Sequence, residues 1–248
     1  MALTAQAAAE LEKLFGAAPT SSPTDPELYE MLQNQIFDET FATGVLEDSD
    51  RELITVAVLA AMQTLPQLKA HTAAALNAGN QPLTVREAIY GCAPFIGYPK
   101  TLNAVAAFDE VLAGRGISLP LAEAQTVPYD ARLKRGSDIQ QPLYGDEIAV
   151  RLKGLPAPFD RFVAAQLTRA CFGDYYTRQG LTLAQREMLA VCVLAALNAQ
   201  GPIKAHLAGA RRAGVTDRQL AAALVQALPY IGFPYALAAL GQMAEAAS

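Results

Sequence analysis

Residues 51–105 and 186–240 of this 248-residue chain align without a gap at a constant offset of 135, and 21 of the 55 paired positions are identical. The identities include Arg51/Arg186, Glu52/Glu187, Lys69/Lys204, His71/His206, Gly79/Gly214, Pro94/Pro229, Gly97/Gly232 and Pro99/Pro234. A repeated unit of this length binds the architecture, because both copies must adopt one fold. The chain has only two histidines, and the offset lays one on the other. A buried imidazole without a use could drift to Leu or Gln in either copy, so its presence twice singles it out.

The chain is core-rich, with 52% hydrophobic and 17% charged residues, no Trp and few aromatics. Abundant alanine favours closely packed helices over a β-sandwich, which would draw on more Val, Ile, Thr and aromatics. A net charge of −5 and the lack of a basic stripe speak against nucleic-acid binding. Arg132, Lys134 and Arg135 form only a short cluster, read as a solvated loop. Cys92, Cys171 and Cys192 make no CxxC pair and no zinc spacing. Scattered thiols in apolar surroundings suit a reducing compartment. No secretion signal and no apolar run of membrane-spanning length are read, so a soluble cytoplasmic protein is expected.

The expected organisation is a helix over residues 4–15, a Pro/Ser linker over 17–26, and a helix opened by Asp25-Pro26-Glu27. Each copy then begins with an aromatic-bearing helix and a turn. Asp48, Ser49 and Asp50, or Thr182, supply capping candidates before the Arg-Glu pair. The apolar runs 53–62 and 188–197 suit either a buried strand or a buried helix. Their length, alanine content and charged first turn favour a central, fully covered helix. Leu65-Pro66 and Gln200-Gly201-Pro202 are read as helix ends. A His-bearing helix follows, stopping at Gly79 and Gly214. Next come helices near 84–96, led by Thr84, and near 217–231, led by Asp217. Both close at a Gly-aromatic-Pro turn before a last helix. Residues 114–145, rich in Gly, Pro and charge, read as an extended surface connector. The division is thus 1–24 as N-terminal helix and linker, 25–115 as first repeat, 116–145 as connector and 146–248 as second repeat.

Glu52 and Glu187 read either as surface first-turn residues favoured by the helix dipole or, lying within a turn of the apolar runs, as half-buried carboxylates able to carry a proton. An antiparallel neighbour would bring His71 or His206 within reach of them. A Glu–imidazole pair is a natural general acid–base. Glu87 belongs to the first copy only, opposite Ala222, and is either an exposed helix residue or a second acid in the first pocket. Cys92 maps to Ala227 and reads as a small core residue. One His per copy leaves too few ligands for a metal, so no metal is expected.

With these residues in view, the chain resembles the carboxymuconolactone decarboxylase family, which includes the alkylhydroperoxidase D group. The resemblance rests on RELITVAVLAA, KAHTAAALNAG and IGYPKTLNAV. The second copy matches more loosely through REMLAVCVLAA, KAHLAGARRAG and YIGFPYALAAL. It covers about residues 27–110 and 160–245, and implies an all-α fold of two tandem helical repeats. It also implies a homotrimer, in which three two-repeat chains imitate a hexamer with sites near repeat or subunit contacts. In the peroxidase branch a CxxC pair precedes the His. Here those positions hold Thr64 and Gln67, then Ala199 and Pro202, so dithiol peroxidase chemistry is not expected. The relay pairs Glu52/His71 and Glu187/His206 are present. A His that decarboxylases often carry eight residues before the turn Pro is Gly91 in one copy and Gln226 in the other.

The resemblance implies a cofactor-free lyase or isomerase acting on a small lactone or carboxylated, activated carbonyl compound. In that reading His71 donates the proton and Glu52 orients it, with His206 and Glu187 repeating the role or surviving as a relic. Arg51 and Arg186, with Cys92, would contact substrate, and Glu87 would assist catalysis. Two rivals stand beside it: a redox protein that relies on Cys92, and a non-catalytic helical protein that binds a small ligand.

Overall fold

The computed structural model describes residues 2–16 and 22–245, so residues 17–21 of the expected linker lie outside it. Every regular element among the described residues is helical. α1 (Ala5–Phe15) precedes α2 (Pro26–Asn34), which runs on through a π-helical turn, Gln35–Thr40, and a 3-10 turn, Phe41–Thr43. The first block is α3 (Asp48–Met62), α4 (Leu65–Asn77), α5 (Pro82–Tyr90), α6 (Ala93–Ile96) and α7 (Tyr98–Gly114). Then come α8 (Arg132–Tyr144), α9 (Glu147–Leu152) and α10 (Phe159–Leu167), the last running into a π-helical stretch, Thr168–Tyr176. The second block is α11 (Leu183–Ala196), α12 (Gln200–Arg212), α13 (Asp217–Ile231) and α14 (Phe233–Glu245).

The apolar runs are helices, as their length and alanine content require. α3 is buried from Arg51 to Ala61 and α11 from Arg186 to Ala196. The two pack on each other at the centre of one continuous core. A helix covered on every side needs no polar stripe, which explains the missing amphipathic period. α11 starts with a capping box in which the Thr182 hydroxyl accepts from the Gln185 backbone N–H and the Gln185 side chain accepts from Thr182 N–H. α3 has no side-chain cap, and Asp48 and Asp50 lie inside its first turn, where they complement the helix dipole.

Two expected ends are beginnings. α3 stops at Met62, with Gln63 in the left-handed region at φ 59°, and Leu65-Pro66 opens α4. Gln200-Gly201-Pro202 likewise forms the first turn of α12. Proline fits there because first-turn amides need no intrahelical acceptor. The helix expected over 84–96 is two, α5 and α6, parted at Gly91-Cys92, whereas α13 runs unbroken with Gln226 at the matching place. Gly97 (φ 78°) and Gly232 (φ 81°) then take a backbone conformation open mainly to glycine.

The largest departure lies in the expected connector. Its second half is α8, packed tightly across Thr168–Tyr176 and against α12. The crossing depends on two glycines. A Cβ on Gly136 would come 2.3 Å from the Thr168 carbonyl oxygen, and one on Gly173 would come 2.3 Å from that of Arg132. α8 answers α1: Asn77 Nδ2 donates to Leu14 O, and Arg212, its counterpart, donates to Leu143 O. Leu14-Phe15-Gly16 thus matches Leu143-Tyr144-Gly145 at an offset of 129, six short of the offset that relates the rest.

Candidate functional site

Glu52 lies in the second turn of α3, and the short link to α4 brings His71 back beside it. His71 Nδ1 is 2.8 Å from Glu52 Oε2, and both side chains are buried. A carboxylate only accepts, so the imidazole carries its proton at Nδ1. The same construction in α11 and α12 sets His206 Nδ1 3.2 Å from Glu187 Oε2. Both expected pairs are therefore made, once in each half. Each imidazole also meets a ring from the other half: Tyr230 packs edge-on to His71 at 5.4 Å, and its counterpart Phe95 packs on His206 at 5.4 Å. Reciprocal contacts of this kind give the two repeats the relation of an isologous dimer.

The surroundings of the two pairs differ. His71 is also capped by Phe15 of α1, 5.6 Å between centroids. Ala7, Leu11, Leu14, Ile36 and Phe37 pack into the apolar cluster around that ring. Around His206 the corresponding positions carry polar groups: Tyr144 for Phe15, Gln140 for Leu11 and Cys171 for Ile36. These three line a cavity of about 390 Å³, together with Phe95, Phe172, Leu194 and His206. Glu147 and Arg151, paired at 2.7 Å on α9, also line it. The Tyr144 hydroxyl donates to Glu187 Oε2 and lies 2.8 Å from His206 Nδ1. Burial first, and the charge of Glu187 next, push that hydroxyl well above the ordinary tyrosine value, so it stays protonated. His206 lines the cavity with its Nδ1 turned to Glu187 and Tyr144.

The two arginines of the Arg-Glu pairs are not at the cavity. Arg51 is 1% exposed and donates to Leu46 O, Thr40 O, Phe41 O and the Gln226 side chain. Arg186 donates to Arg178 O at 2.8 Å and lies 3.7 Å from Glu87 Oε2. Burial lowers the pKa of both guanidiniums. They lock the repeats together and do not face a substrate space at either histidine. Glu87 is likewise away from His71: it accepts from Arg178 Nε at 2.8 Å and Nη2 at 3.0 Å, fully buried. The acceptor for the buried arginine differs by one helical turn between copies. Glu87, opposite Ala222, lies beside Arg186, whereas Gln226, opposite Gly91, accepts from Arg51.

The carboxymuconolactone decarboxylase family pattern matches residues 26–110 and again residues 163–245. The chain belongs to this family. It is similar to a protein of Acinetobacter baylyi described as 4-carboxymuconolactone decarboxylase, 26% identical over 116 residues. That match spans 47% of this chain and 86% of the relative, so most of the relative corresponds to about half of this chain.

Cys92 gives this family member little redox chemistry. It is 1% exposed, its thiol donates to Ala88 O at 3.3 Å, and burial pushes it up to about 12. The thiolate is the reactive form, so iodoacetamide at about pH 8 will leave Cys92 unlabelled in the native protein and label it in urea. Alkali should also weaken the fold. Cys92 and Cys192 are both raised from 9.0 to about 12, so above pH 9 the native state keeps protons that the unfolded chain sheds. This stability is present below pH 9 and is lost as pH rises toward 12, by about 1.4 kcal/mol per pH unit for each thiol. A urea midpoint that does not fall over that range would contradict it.

Tyr144, Gly209, Cys171 and Phe172 escaped the sequence reading. A signal existed in LFG and LYG, but it lies six residues off the register of the main repeat. The π-helical stretch that brings Cys171 and Phe172 to the cavity has no comparable signature.

Proposed function

We propose that this protein is a cofactor-free lyase or isomerase whose working centre is the second repeat, with His206 exchanging a proton at Nε2 and Glu187 holding the ring. The substrate is a small lactone or related carboxylated, activated carbonyl compound. The observation that carries this reading is the opening of His206, and not His71, onto the 390 Å³ cavity. A cavity of that size suits a small organic acid and excludes much of the solvent. In decarboxylation the bond to the leaving carboxylate breaks, CO2 departs, and the electron pair passes into the neighbouring carbonyl as an enolate. The protonated His206 then delivers the Nε2 proton to the enolate carbon. Glu187 stabilises the imidazolium, as an oriented anion in a poorly solvated site can. In an isomerisation the same nitrogen would take the proton first and return it elsewhere.

The relative's name makes 4-carboxymuconolactone the first compound to test, followed by other γ-lactone acids and β-keto acids. The expected result is CO2 release or double-bond migration that is lost in His206→Gln. No turnover with any of these compounds would contradict the proposal and favour a binding role for the cavity.

Self-association belongs to the same reading. Tyr98 and Leu102 on α7 are 63% and 65% exposed, and their counterparts Phe233 and Leu237 on α14 are 57% and 59% exposed. Matched apolar patches of this kind suit a closed ring of chains, and a homotrimer would present six repeats.

A further inference from the structure

Tyr144 and Gly209 form a coupled pair that distinguishes the second centre from the first. Where the second repeat has Tyr144, the first has Phe15; where the second has Gly209, the first has Ala74. A Cβ on Gly209 would stand 2.6 Å from the Tyr144 hydroxyl oxygen, 2.8 Å from its Cζ and 3.0 Å from Glu187 Oε2. The glycine therefore vacates the space that the hydroxyl occupies, and the alanine of the first repeat faces a ring that has no hydroxyl. The tyrosine ring is wedged between His206 at 5.3 Å and Phe172 at 5.6 Å, so it cannot simply swing aside.

We propose that Tyr144 is a positioning residue for His206: its hydroxyl donates to Glu187, accepts from His206 Nδ1–H, and so makes Nε2 the only nitrogen that exchanges a proton with a bound molecule. A protonated phenol has one hydrogen, and the acceptor-only carboxylate takes it. Only oxygen lone pairs then face Nδ1, which must carry its own proton before, during and after transfer at Nε2. In the first centre Glu52 does this alone at 2.8 Å; in the second the direct distance is 3.2 Å and the hydroxyl supplies the closer contact.

This assignment rests on the proposed role of His206, and the test separates the two. Tyr144→Phe/Gly209→Ala rebuilds the packing of the first repeat, so the double variant should fold with an unchanged melting temperature. Long-range 1H–15N correlation of the imidazoles, with His206 identified by comparison with His206→Gln, reports which nitrogen is protonated and needs no substrate. In the wild type the neutral His206 should be almost wholly Nδ1–H. In the double variant, and in Gly209→Ala where the hydroxyl is displaced, only the longer 3.2 Å approach to Glu187 is left to hold Nδ1–H, so the Nε2–H form should become detectable. With 4-carboxymuconolactone, kcat should fall about tenfold and KM stay within about twofold, as expected for an interaction that acts on the proton-transfer step. Retention of either the wild-type nitrogen pattern or the wild-type kcat in the folded double variant overturns the role of Tyr144. Full turnover in His206→Gln overturns instead the catalytic reading beneath it.

Discussion

His206→Gln should lower kcat by at least about 100-fold, while His71→Gln should leave it within about threefold, if His206 is the proton carrier we propose. The two substitutions remove the same imidazole from the same place in the same fold, so each is the control for the other. The difference arises from what surrounds each ring. His71 is pressed between Phe15 and Tyr230 inside an apolar cluster, whereas His206 lines the large cavity beside Tyr144. Glutamine keeps a polar group near each glutamate but cannot carry a proton across neutral pH. The first-centre variant should register in stability: Glu52 becomes a fully buried carboxylate with a poorer partner, and Oε1 already has none. Equal losses from the two variants would contradict the division of labour, and steady-state kinetics with paired urea melts measures it.

Glu87→Ala should destabilise the protein by about 3–5 kcal/mol. The carboxylate is fully buried and bonded through both oxygens to Arg178, with Arg186 within 3.7 Å and Arg86 at 3.5 Å. Arg186 already has Nε and Nη1 buried without a partner, so it has no spare acceptor to fall back on. Removing the anion leaves a buried guanidinium uncompensated, which costs far more than the pair contributes. The chain contains its own remedy. Arg51, the counterpart of Arg186, is served by Gln226 at 3.0 Å, opposite an alanine at 222. Adding Gly91→Gln to Glu87→Ala should therefore recover part of the loss in a urea titration. A loss below about 1 kcal/mol in the single variant would mean that the cluster is well hydrated.

The fold was largely legible because a repeat doubles every signal. Arg-Glu ahead of an apolar run, His nineteen residues after Glu, and glycine at a left-handed turn each occurred twice in one register. The Glu–His approach followed from helix length and a short link, and both pairs stand at hydrogen-bond distance. What escaped lies outside that register. α8 carries Gly136 and Pro142 and lies in a stretch rich in Gly, Pro and charge, so its composition resembles a loop. It is a helix because Gly136 and Gly173 let it pack backbone to backbone, a tertiary gain that local pattern does not show. The arginines misled for a different reason. A guanidinium at a helix start is usually exposed, and nothing in Arg51 or Arg186 alone tells that it is buried against carbonyls of its own preceding turn and one side chain of the opposite repeat.

The central claim is that chemistry takes place at one nitrogen of the second repeat. A crystal structure with a slowly turned-over lactone acid tests it most directly. The account predicts the ligand in the cavity bounded by Tyr144, Phe172 and Phe95, with its reacting carbon within about 3.5 Å of His206 Nε2. A ligand seated against His71, or in the cavity but turned away from His206, would contradict it.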